Sequence, residues 1–335
     1  YVEHSRIEAE LQEAKELCKD LGFLPLGLEL IARYLERKPS LSLVEVRKTL
    51  GLENKSLERF SQDMTAQRGV VAAFELSWNE LDEDSKALGC LLSLFASAPI
   101  PWNLVEKCLL KNESQEKGII QQWFPTFLRL WLLCMPRKAA NVLDLNTWKH
   151  KRDDKLINFS LLQYLGGSNY GLHPLIRQYF RNKFAGFCSS VEEMKYSICK
   201  VIAESAIEIP YTITVQQVSE VEVYIPHIVE VAENLHEFLS DDDLIFPFVG
   251  LGRFYEGQGL YSQAQPWYET GKEMAEQRFR DEHPDVATSL NNLALLYKSQ
   301  GRYEEAEPLF IQSLDMYKKL LGEEHPSVAT SLHNL

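Results

Sequence analysis

The sequence lacks the features of a membrane protein or a nucleic-acid-binding protein. Its most hydrophobic stretch, residues 118–135, contains two glutamines, a proline and Arg129, so it would span a bilayer poorly. No signal peptide opens the chain. Acidic residues outnumber basic ones by 48 to 35, and the net charge of −13 should repel phosphate backbones. We therefore expect neither a membrane nor a nucleic acid as the partner.

The sequence also lacks the motifs that place catalytic groups. The phosphate-binding motif GxxxxGK[ST] is absent, and the single Gly-Lys pair, Gly271-Lys272, falls within a predicted helix. His236-Glu237 lacks the second histidine of a zinc-binding motif, and GGSNY at 166–170 favours a hairpin turn over a nucleophile elbow. The six cysteines form no CxxC pair and are typical of reduced thiols in a cytoplasmic protein. We predict that the chain has no catalytic centre and no metal site.

Amphipathic helices with short links fill residues 1–62. Gly22 follows the first helix, at the position where a glycine commonly ends a helix. Pro25 can open the second helix at its first position, and Ser42 with Glu45 forms a capping box for a third. The apolar residues recur every three or four positions, as a buried helical face requires: Ile7, Leu11, Ala14, Leu17, Leu21, Leu28, Ile31, Ala32 and Leu35. This pattern predicts a small helical bundle.

Residues 63–188 show three helices followed by a β-hairpin. Apolar spacing predicts the helices, and Asp82 is the expected N-cap of the second. The apolar residues that mark these helices are Val70, Val71, Phe74, Trp78, Leu88, Leu91, Leu92, Phe95, Leu104, Val105 and Leu109. Two apolar strands flank the Gly-Gly pair at 166–167, and Pro174 can open a further helix. The order is typical of a winged-helix domain, with residues 111–148 as a divergent insertion.

Residues 189–243 are predicted to form a helical connector. Ser190 and Glu193 match a capping box, and Pro226 suits a first helical position. The triplet at 241–243 consists of three aspartates, which is compatible with a metal-binding carboxylate cluster or with a solvated link and helix cap. Consecutive side chains point in different directions, so we favour the solvated link.

The strongest signal is an internal repeat over residues 244–335. HPDVATSLNNL at 283–293 recurs 42 residues later as HPSVATSLHNL, and a more divergent copy precedes both. The same offset pairs the small and aromatic residues that a helix-turn-helix unit needs: Gly252 with Ala294, Tyr255 with Tyr297, Gly259 with Gly301, and Ala264 with Ala306. This resembles the tetratricopeptide repeat, in the longer variant found in kinesin light chain and in bacterial signalling proteins. The resemblance implies an α-α superhelix.

The concave face of such a superhelix binds peptides or partner helices. Residues of the first helix in each copy share one face by their spacing of three or four, and we predict that they contact a protein partner. Solvated surface is the alternative for each of them. In the functional interpretation, Asn291 binds a peptide backbone amide. The predicted contacts are Arg253, Glu256, Asn291, Leu295 and Lys298.

Four stretches in a fixed order extend the resemblance to most of the chain. They are LGFLPLGLELIARYL at 21–35, LINFSLLQYL at 156–165, YGLHPLIRQYF at 170–180, and the repeats. Together they resemble the C-terminal half of NB-ARC proteins, the STAND class of signal-transduction ATPases, in their bacterial form with tetratricopeptide sensors. The resemblance implies a P-loop domain upstream in cis that binds ADP or ATP, closed over by an ARC1-like bundle and an ARC2-like winged helix. The chain starts without methionine and ends within a repeat, so we expect it to be part of a longer protein.

The resemblance also implies roles for individual residues. Leu24-Pro25-Leu26 matches the GLPL motif, so Pro25 and Leu26 are expected to contact the nucleotide in the intact protein, the proline near the adenine. His173 matches the histidine that reaches the β-phosphate of ADP. Pro174 replaces the aspartate that follows it in the family, which removes the capping role of that side chain. Local sequence alone leaves His173 either a turn residue or a phosphate ligand at a helix N-terminus, where anions are favoured.

These inferences lead to one expected function and two alternatives. We expect a cytoplasmic regulator in which bundle and winged helix form an ADP-dependent latch and the repeats sense a partner, with ligand-induced oligomerisation as a further expectation. Such a latch needs two states that nucleotide and partner bias differently. The first alternative is an adaptor that binds partners and has no nucleotide role. The second is a winged-helix DNA regulator, which the acidic charge disfavours.

Overall fold

The computed structural model describes residues 2, 4–50, 62–110, 145–187, 191–280 and 283–335. These residues are mainly α-helical with one small antiparallel sheet, which confirms the predicted mainly α fold. The chain forms two compact units, one of residues 1–102 and 116–189, the other of residues 103–115 and 190–335. Within the described ranges, no helix is long and apolar enough to cross a membrane. The predicted domain boundaries at 62, 188 and 243 stay predictions.

The helices and strands follow in chain order. Up to residue 187 they are α1 His4–Ala9, α2 Leu11–Asp20, α3 Pro25–Arg37, α4 Leu43–Thr49, α5 Gln62–Glu80, α6 Glu83–Ser93, β1 Ile100–Pro101, α7 at 102–110, α8 Leu145–His150, β2 Gln163–Gly166, β3 Asn169–Gly171 and α9 Pro174–Phe187. They continue with α10 Val191–Ile207, α11 Val215–Val221, α12 Ile225–Glu230, α13 Phe246–Glu256, α14 Tyr261–Phe279, α15 Pro284–Ser299, α16 Tyr303–Leu321 and α17 Pro326–Asn334. Residues 151–157 and 231–235 are π-helical. Most of the predicted insertion (111–144) and the predicted cap Ser190 lie outside the described residues.

The ends of the first helices match their sequence signals. Ser42 Oγ accepts from the Glu45 N–H at 3.2 Å, and the Glu45 carboxylate accepts from the Ser42 N–H at 2.9 Å. This is the predicted capping box. Asp82 Oδ1 likewise accepts from the Ser85 N–H at 2.9 Å, which confirms Asp82 as the N-cap of α6. Local hydrogen bonding therefore sets where these helices begin.

Arg47 joins α4 to α2. Its guanidinium lies 2.7 Å from the carboxylate of Glu13, 2.5 Å from that of Glu16 and 2.9 Å from that of Asp20. The Arg47 side chain is only 12% exposed. Hydrogen bonds from Gln12 and Arg47, with the charge of Arg47, lower the pKa of Glu16. One cation shared by three carboxylates along α2 fixes how that helix is rotated against α4.

An aromatic cluster forms the core between α5, α6 and α9. The Phe180 ring is 1% exposed and lies 5.9 Å from the Trp78 ring, centroid to centroid. Phe74 stacks on Tyr179 at 5.1 Å. A Cβ atom at Gly89 would come within 2.5 Å of the Phe180 ring. The absence of a side chain at Gly89 therefore allows α6 and α9 to approach closely.

The sheet has the order β1-β3-β2, with both pairings antiparallel. The Gly-Gly pair at 166–167 has positive φ angles of 95° and 56° and turns the predicted hairpin. Strand β1 was not predicted, because a two-residue strand shows no alternation; Ile100 pairs with Tyr170. Pro101 occurs on an edge strand, where the missing N–H is tolerated. Tyr170 is buried. The centre of its ring lies 5.5 Å from that of Trp102 and 4.5 Å from the guanidinium carbon of Arg152, and these contacts anchor the hairpin.

The second unit begins with residues 103–110 of α7, which pack on α10. Ser197 Oγ donates to the Cys108 carbonyl at 2.9 Å. α10 in turn lies close to α13, since a Cβ at Gly250 would come within 2.8 Å of Ala206.

The aspartates at 241–243 form a short 3-10 turn. Asp241 accepts from Arg278 at 2.8 Å, and among the described residues no group of His, Cys, Asp and Glu is arranged to hold a metal.

Helices α13 to α17 form the repeats. α13 pairs with α14 and α15 with α16, and α17 opens the third copy. Gly259 and Gly301 have φ angles of 73° and 75° at equivalent turns, a conformation that favours glycine. Ala264 and Ala306 are buried where the second helices pack. The equivalence of these positions confirms the predicted helix-turn-helix period.

Candidate functional site

Pro25 occupies the first position of α3, as predicted. Phe23, which the GLPL motif does not contain, is part of the end of α2. Its N–H donates to the Cys18 carbonyl, and the Gly22 N–H donates to the Lys19 carbonyl, both at 2.9 Å. This pair of bonds is a Schellman motif. The additional residue is thus accommodated before α3, where Pro25 is exposed.

His173 lies between β3 and α9, and it caps the helix. Its Nδ1 accepts from the Leu175 N–H at 3.2 Å, and its carbonyl accepts from the Arg177 N–H at 2.9 Å. The sequence suggested that replacing the family aspartate by Pro174 removes a side-chain cap, yet the histidine itself supplies one. An Nδ1 that accepts belongs to a neutral imidazole with its proton on Nε2. Nε2–H is therefore the group that can donate to an anion.

The residues predicted to contact a nucleotide lie at or just before the starts of two helices that share a neighbour. α3, which begins at Pro25 with Leu26 half-buried behind it, packs against α5. α9, which begins after His173, also packs against α5. Their roles toward a nucleotide stay predictions.

Two further His-Pro sequences in the repeats use the same cap. His283 Nδ1 accepts from the Asp285 N–H at 3.3 Å at the start of α15, and His325 Nδ1 accepts from the Ser327 N–H at 3.2 Å at the start of α17. The His283 ring also stacks on Phe279 at 4.0 Å. His-Pro is therefore a recurrent helix start in this chain, in which the proline fills the first helical position.

Replacing His283 with alanine is expected to lower the free energy of unfolding by about 1 kcal/mol, a typical loss for an N-cap. The reason is that the Asp285 N–H loses its acceptor. Asparagine, whose side-chain oxygen reaches the same N–H, should retain most of the stability. Thermal unfolding followed by far-UV circular dichroism measures both variants. If the alanine and asparagine variants lose the same free energy of unfolding, His283 stabilises the helix start through its stacking on Phe279 and not through the cap.

Two of the predicted partner contacts, Arg253 and Glu256, lie on α13 and have partners within the chain. Arg253 Nη2 donates to the Tyr211 hydroxyl at 2.6 Å, and the guanidinium carbon lies 3.8 Å from the centre of that ring. Glu256 accepts from the Tyr268 hydroxyl at 2.9 Å. The Ser299 hydroxyl lies 3.1 Å from Glu256 and 3.0 Å from the Leu295 carbonyl, so the two acceptors share its one proton. Burial and the Glu256 carboxylate raise the pKa of Tyr268, so its hydroxyl stays protonated and donates.

The other three predicted contacts lie on α15. Asn291 Oδ1 accepts from the Asn334 side-chain amide at 3.0 Å. Lys298 Nζ donates to the Asn334 carbonyl at 2.7 Å, and the Lys298 side chain is exposed. Leu295 is half-buried and packs on a cluster that contains Phe310. As contacts of a partner, all five residues stay predictions.

Hydrogen bonds connect the first helices of successive repeats. Ser299 bonds to Glu256, and Asn334 bonds to Asn291; in each pair the residues are 43 apart in sequence. The separation is one residue more than the period of 42, so each bond joins neighbouring positions of adjacent copies. We call the surface formed by the linked side chains of α13, α15 and α17 the polar strip.

The sequence analysis missed two residues beside Arg253. Tyr211 belongs to the link between α10 and α11, outside the repeat, so no periodic signal identifies it. Asn292 is 2% exposed, and its Oδ1 lies 3.4 Å from the Tyr211 hydroxyl. Its counterpart one period later is Asn334, and this repetition of asparagine was a usable signal.

The described cysteines form no disulfide. Cys199 is buried, and its thiol donates to the Leu235 carbonyl at 3.3 Å. Burial raises the pKa of Cys199 to about 12. Because the thiolate is the reactive form, Cys199 is a poor nucleophile at neutral pH.

Paired helices with a constant period, joined by hydrogen bonds between successive first helices, define residues 246–335 as an α-α repeat superhelix. Two overlapping stretches, residues 246–319 and 291–335, match the family model of the tetratricopeptide repeat. This confirms the predicted resemblance for that part of the chain, and such repeats indicate a protein partner. A search of curated proteins found no match to the chain.

Proposed function

We propose that the chain binds a protein partner along the polar strip. The supporting observation is the pair of bonds between successive first helices, Ser299 to Glu256 and Asn334 to Asn291. They produce a surface that continues from one repeat to the next, as an extended ligand requires. Asn291 Oδ1 is already an acceptor within the strip, so Asn291 would bind a partner's carbonyl through Nδ2. Lys298 adds an exposed positive charge.

Reversing the charge of Lys298 is expected to weaken partner binding at least tenfold, about 1.4 kcal/mol. Lys298→Glu removes an exposed cation from the strip and also its bond to the Asn334 carbonyl. The partner is first isolated by cross-linking to the wild-type chain, and its affinity for each variant is then measured by calorimetry.

Lys319→Glu is the matched control, since Lys319 is exposed on α16, one of the second helices. It makes the same change of charge away from the strip and should leave the affinity unchanged. Equal affinities of the two variants would place the partner elsewhere.

Within a longer protein, we further propose that residues 1–188 form the ADP-dependent latch of a STAND-type switch and that the repeats are its sensor. Support comes from the exposed Pro25 at the start of α3 and from His173 at the start of α9. Both helices pack against α5, which is a means of coupling them. In this proposal an upstream P-loop domain binds the nucleotide, and Pro25, Leu26 and His173 add contacts. The chain itself performs no catalytic step.

His173→Asn is expected to weaken ADP binding by the intact protein at least tenfold without lowering its melting temperature. Asparagine keeps an acceptor for the Leu175 N–H, but it lacks the imidazole Nε2–H that would reach a phosphate. Isothermal calorimetry measures the affinity. His325→Asn makes the same replacement in a repeat cap and should not affect ADP. If the intact protein binds no ADP, the adaptor alternative stands. If it binds ADP and His173→Asn binds it unchanged, His173 does not contact the nucleotide.

A further inference from the structure

A cavity of about 430 Å³ lies in the second unit, between the segment 231–238 and the helices α13 and α14. The segment consists of a π-helical turn at 231–235 and a 3-10 turn at 236–238, and π-helical turns are frequent at functional sites. None of the side chains that form the polar strip lines the cavity. Its volume falls within the range of small-molecule sites, roughly 300–1,000 Å³.

One wall of the cavity is aromatic. Phe248 on α13 is 1% exposed, and Trp267 on α14 is half-buried. A Cβ at Gly271 would come within 2.8 Å of the Phe248 Cβ, so the two helices approach closely where Phe248 lines the cavity. One period later in the chain, leucine (Leu309) replaces Trp267. The aromatic wall therefore belongs to this place in the chain and is not a general feature of the repeat.

Three polar side chains line the same cavity, and each has an acceptor that is unused in the part of the chain that the structure describes. Glu233 is exposed and forms no ion pair there. His236 Nδ1 is buried without a hydrogen-bond partner, and the Thr270 hydroxyl forms no hydrogen bond. The lining contains no lysine or arginine. The charge of the Glu233 carboxylate is thus not neutralised at the cavity.

Unused acceptors next to an aromatic wall fit a ligand with an ammonium group and an apolar ring. An ammonium carries three donors, and its hydrogen bond to a carboxylate is roughly twice as strong as a neutral one. No hydrogen bond among the described residues fixes the His236 ring, so its rotation can present Nδ1 to the same ammonium. An aromatic ring would pack on Phe248 and Trp267. An anionic ligand would instead be repelled by Glu233.

We propose that this cavity binds a small arylalkylamine, a primary amine attached to an aromatic ring. The ammonium donates to the Glu233 carboxylate and to His236 Nδ1, and the aromatic ring lies against Phe248 and Trp267. The bound amine contacts both the segment 231–238 and the repeats, so it stabilises their packing. The site is separate from the polar strip, and neither proposal depends on the other.

The test is isothermal calorimetry of the chain with three ligands that share one indole ring. Tryptamine carries an ammonium, tryptophol a hydroxyl and indoleacetate a carboxylate. We expect saturable binding of tryptamine, at least tenfold weaker binding of tryptophol and no binding of indoleacetate. Tryptamine should also shift the side-chain Nε1–H signal of Trp267 in an NMR spectrum, which places the ligand in this cavity. The signal is assigned by its loss in Trp267→Phe.

Variants of the lining separate charge recognition from the apolar contacts. Glu233→Gln should weaken tryptamine binding at least tenfold and leave the affinity for tryptophol unchanged. Glu237→Gln is the matched control, because Glu237 is exposed on the same segment and does not line the cavity; it should bind tryptamine like the wild type. Thr270→Phe fills the cavity and should abolish binding of both ligands.

Glu233→Gln gives the decisive result, since Glu233 is exposed and the fold does not depend on it. An unchanged affinity of this variant for tryptamine, or equal affinities of the wild type for all three ligands, would overturn the recognition of an ammonium by Glu233. Absence of saturable tryptamine binding to the wild type, or binding that leaves the Trp267 signal unshifted, would overturn the site itself.

Discussion

Phe180→Ala is expected to lower the free energy of unfolding of the first unit by about 3–5 kcal/mol. The ring is 1% exposed and packs between Trp78 and the backbone at Gly89. Because α6 and α9 are already in close contact at Gly89, neither helix can move far enough to fill the cavity. The same helix α9 begins at the His173 cap, so loosening it should also reduce any nucleotide affinity of the intact protein.

Urea unfolding followed by tryptophan fluorescence measures this loss, since Trp78 lies 5.9 Å from the Phe180 ring. Phe23→Ala is the matched control. Phe23 is 67% exposed, and we expect its replacement to change the free energy of unfolding by no more than about 0.5 kcal/mol. Similar losses in the two variants would contradict the described packing of α9 on α6.

Arg47→Met is expected to destabilise the first unit by about 1–3 kcal/mol at neutral pH. Removing one partner of a buried ion pair costs about 3–5 kcal/mol, and partial exposure of the three carboxylates, 22–43%, reduces this value. Without the arginine, the carboxylates of Glu13, Glu16 and Asp20 repel one another. Thermal unfolding measures the loss. Lys48→Met removes a neighbouring exposed charge on α4 and should change the stability little.

The charge network around Arg47 also makes the free energy of unfolding depend on pH. The pKa of Glu16 is lowered in the folded chain by Gln12 and by Arg47. Its contribution is therefore present above the unfolded pKa, about 4.3, and is lost as the pH falls through the folded value. In Arg47→Met, protonation relieves the repulsion between carboxylates. The difference in melting temperature between wild type and variant should narrow as the pH falls below about 4. A difference that stays constant there would exclude the charge network as its cause.

Structural features that depend on residues close in sequence were predicted well. The capping box at Ser42, the cap at Asp82 and the helix start at Pro25 all depend on hydrogen bonds or steric restrictions within a few positions. The repeat was equally readable, because the equivalence of Gly259 and Gly301 requires only a comparison of the chain with itself. Strand β1 was missed, since its register depends on Tyr170 rather than on its own two residues.

In the candidate site, too, local features could be predicted and contacts between distant residues could not. The spacing predicted Arg253 and Glu256 on one face of α13, and Asn291 on the corresponding face of α15. Their partners could not be predicted, because Tyr211 and Asn334 approach them only through packing of separate helices. His173 lies between these cases. Its position at a helix start was clear from Pro174, whereas the use of Nδ1 as the cap depends on the orientation of the ring.

The sequence by itself determined the helix starts, the hairpin turn, the period of 42 and the acidic charge. These depend on short-range hydrogen bonds, backbone restrictions and composition, all of which are contained in neighbouring residues or in a simple count. Only the tertiary structure decided that Tyr211 covers Arg253 and that successive first helices are joined into one polar strip. Those contacts connect residues at least 42 positions apart, and their geometry exists only after the helices have packed.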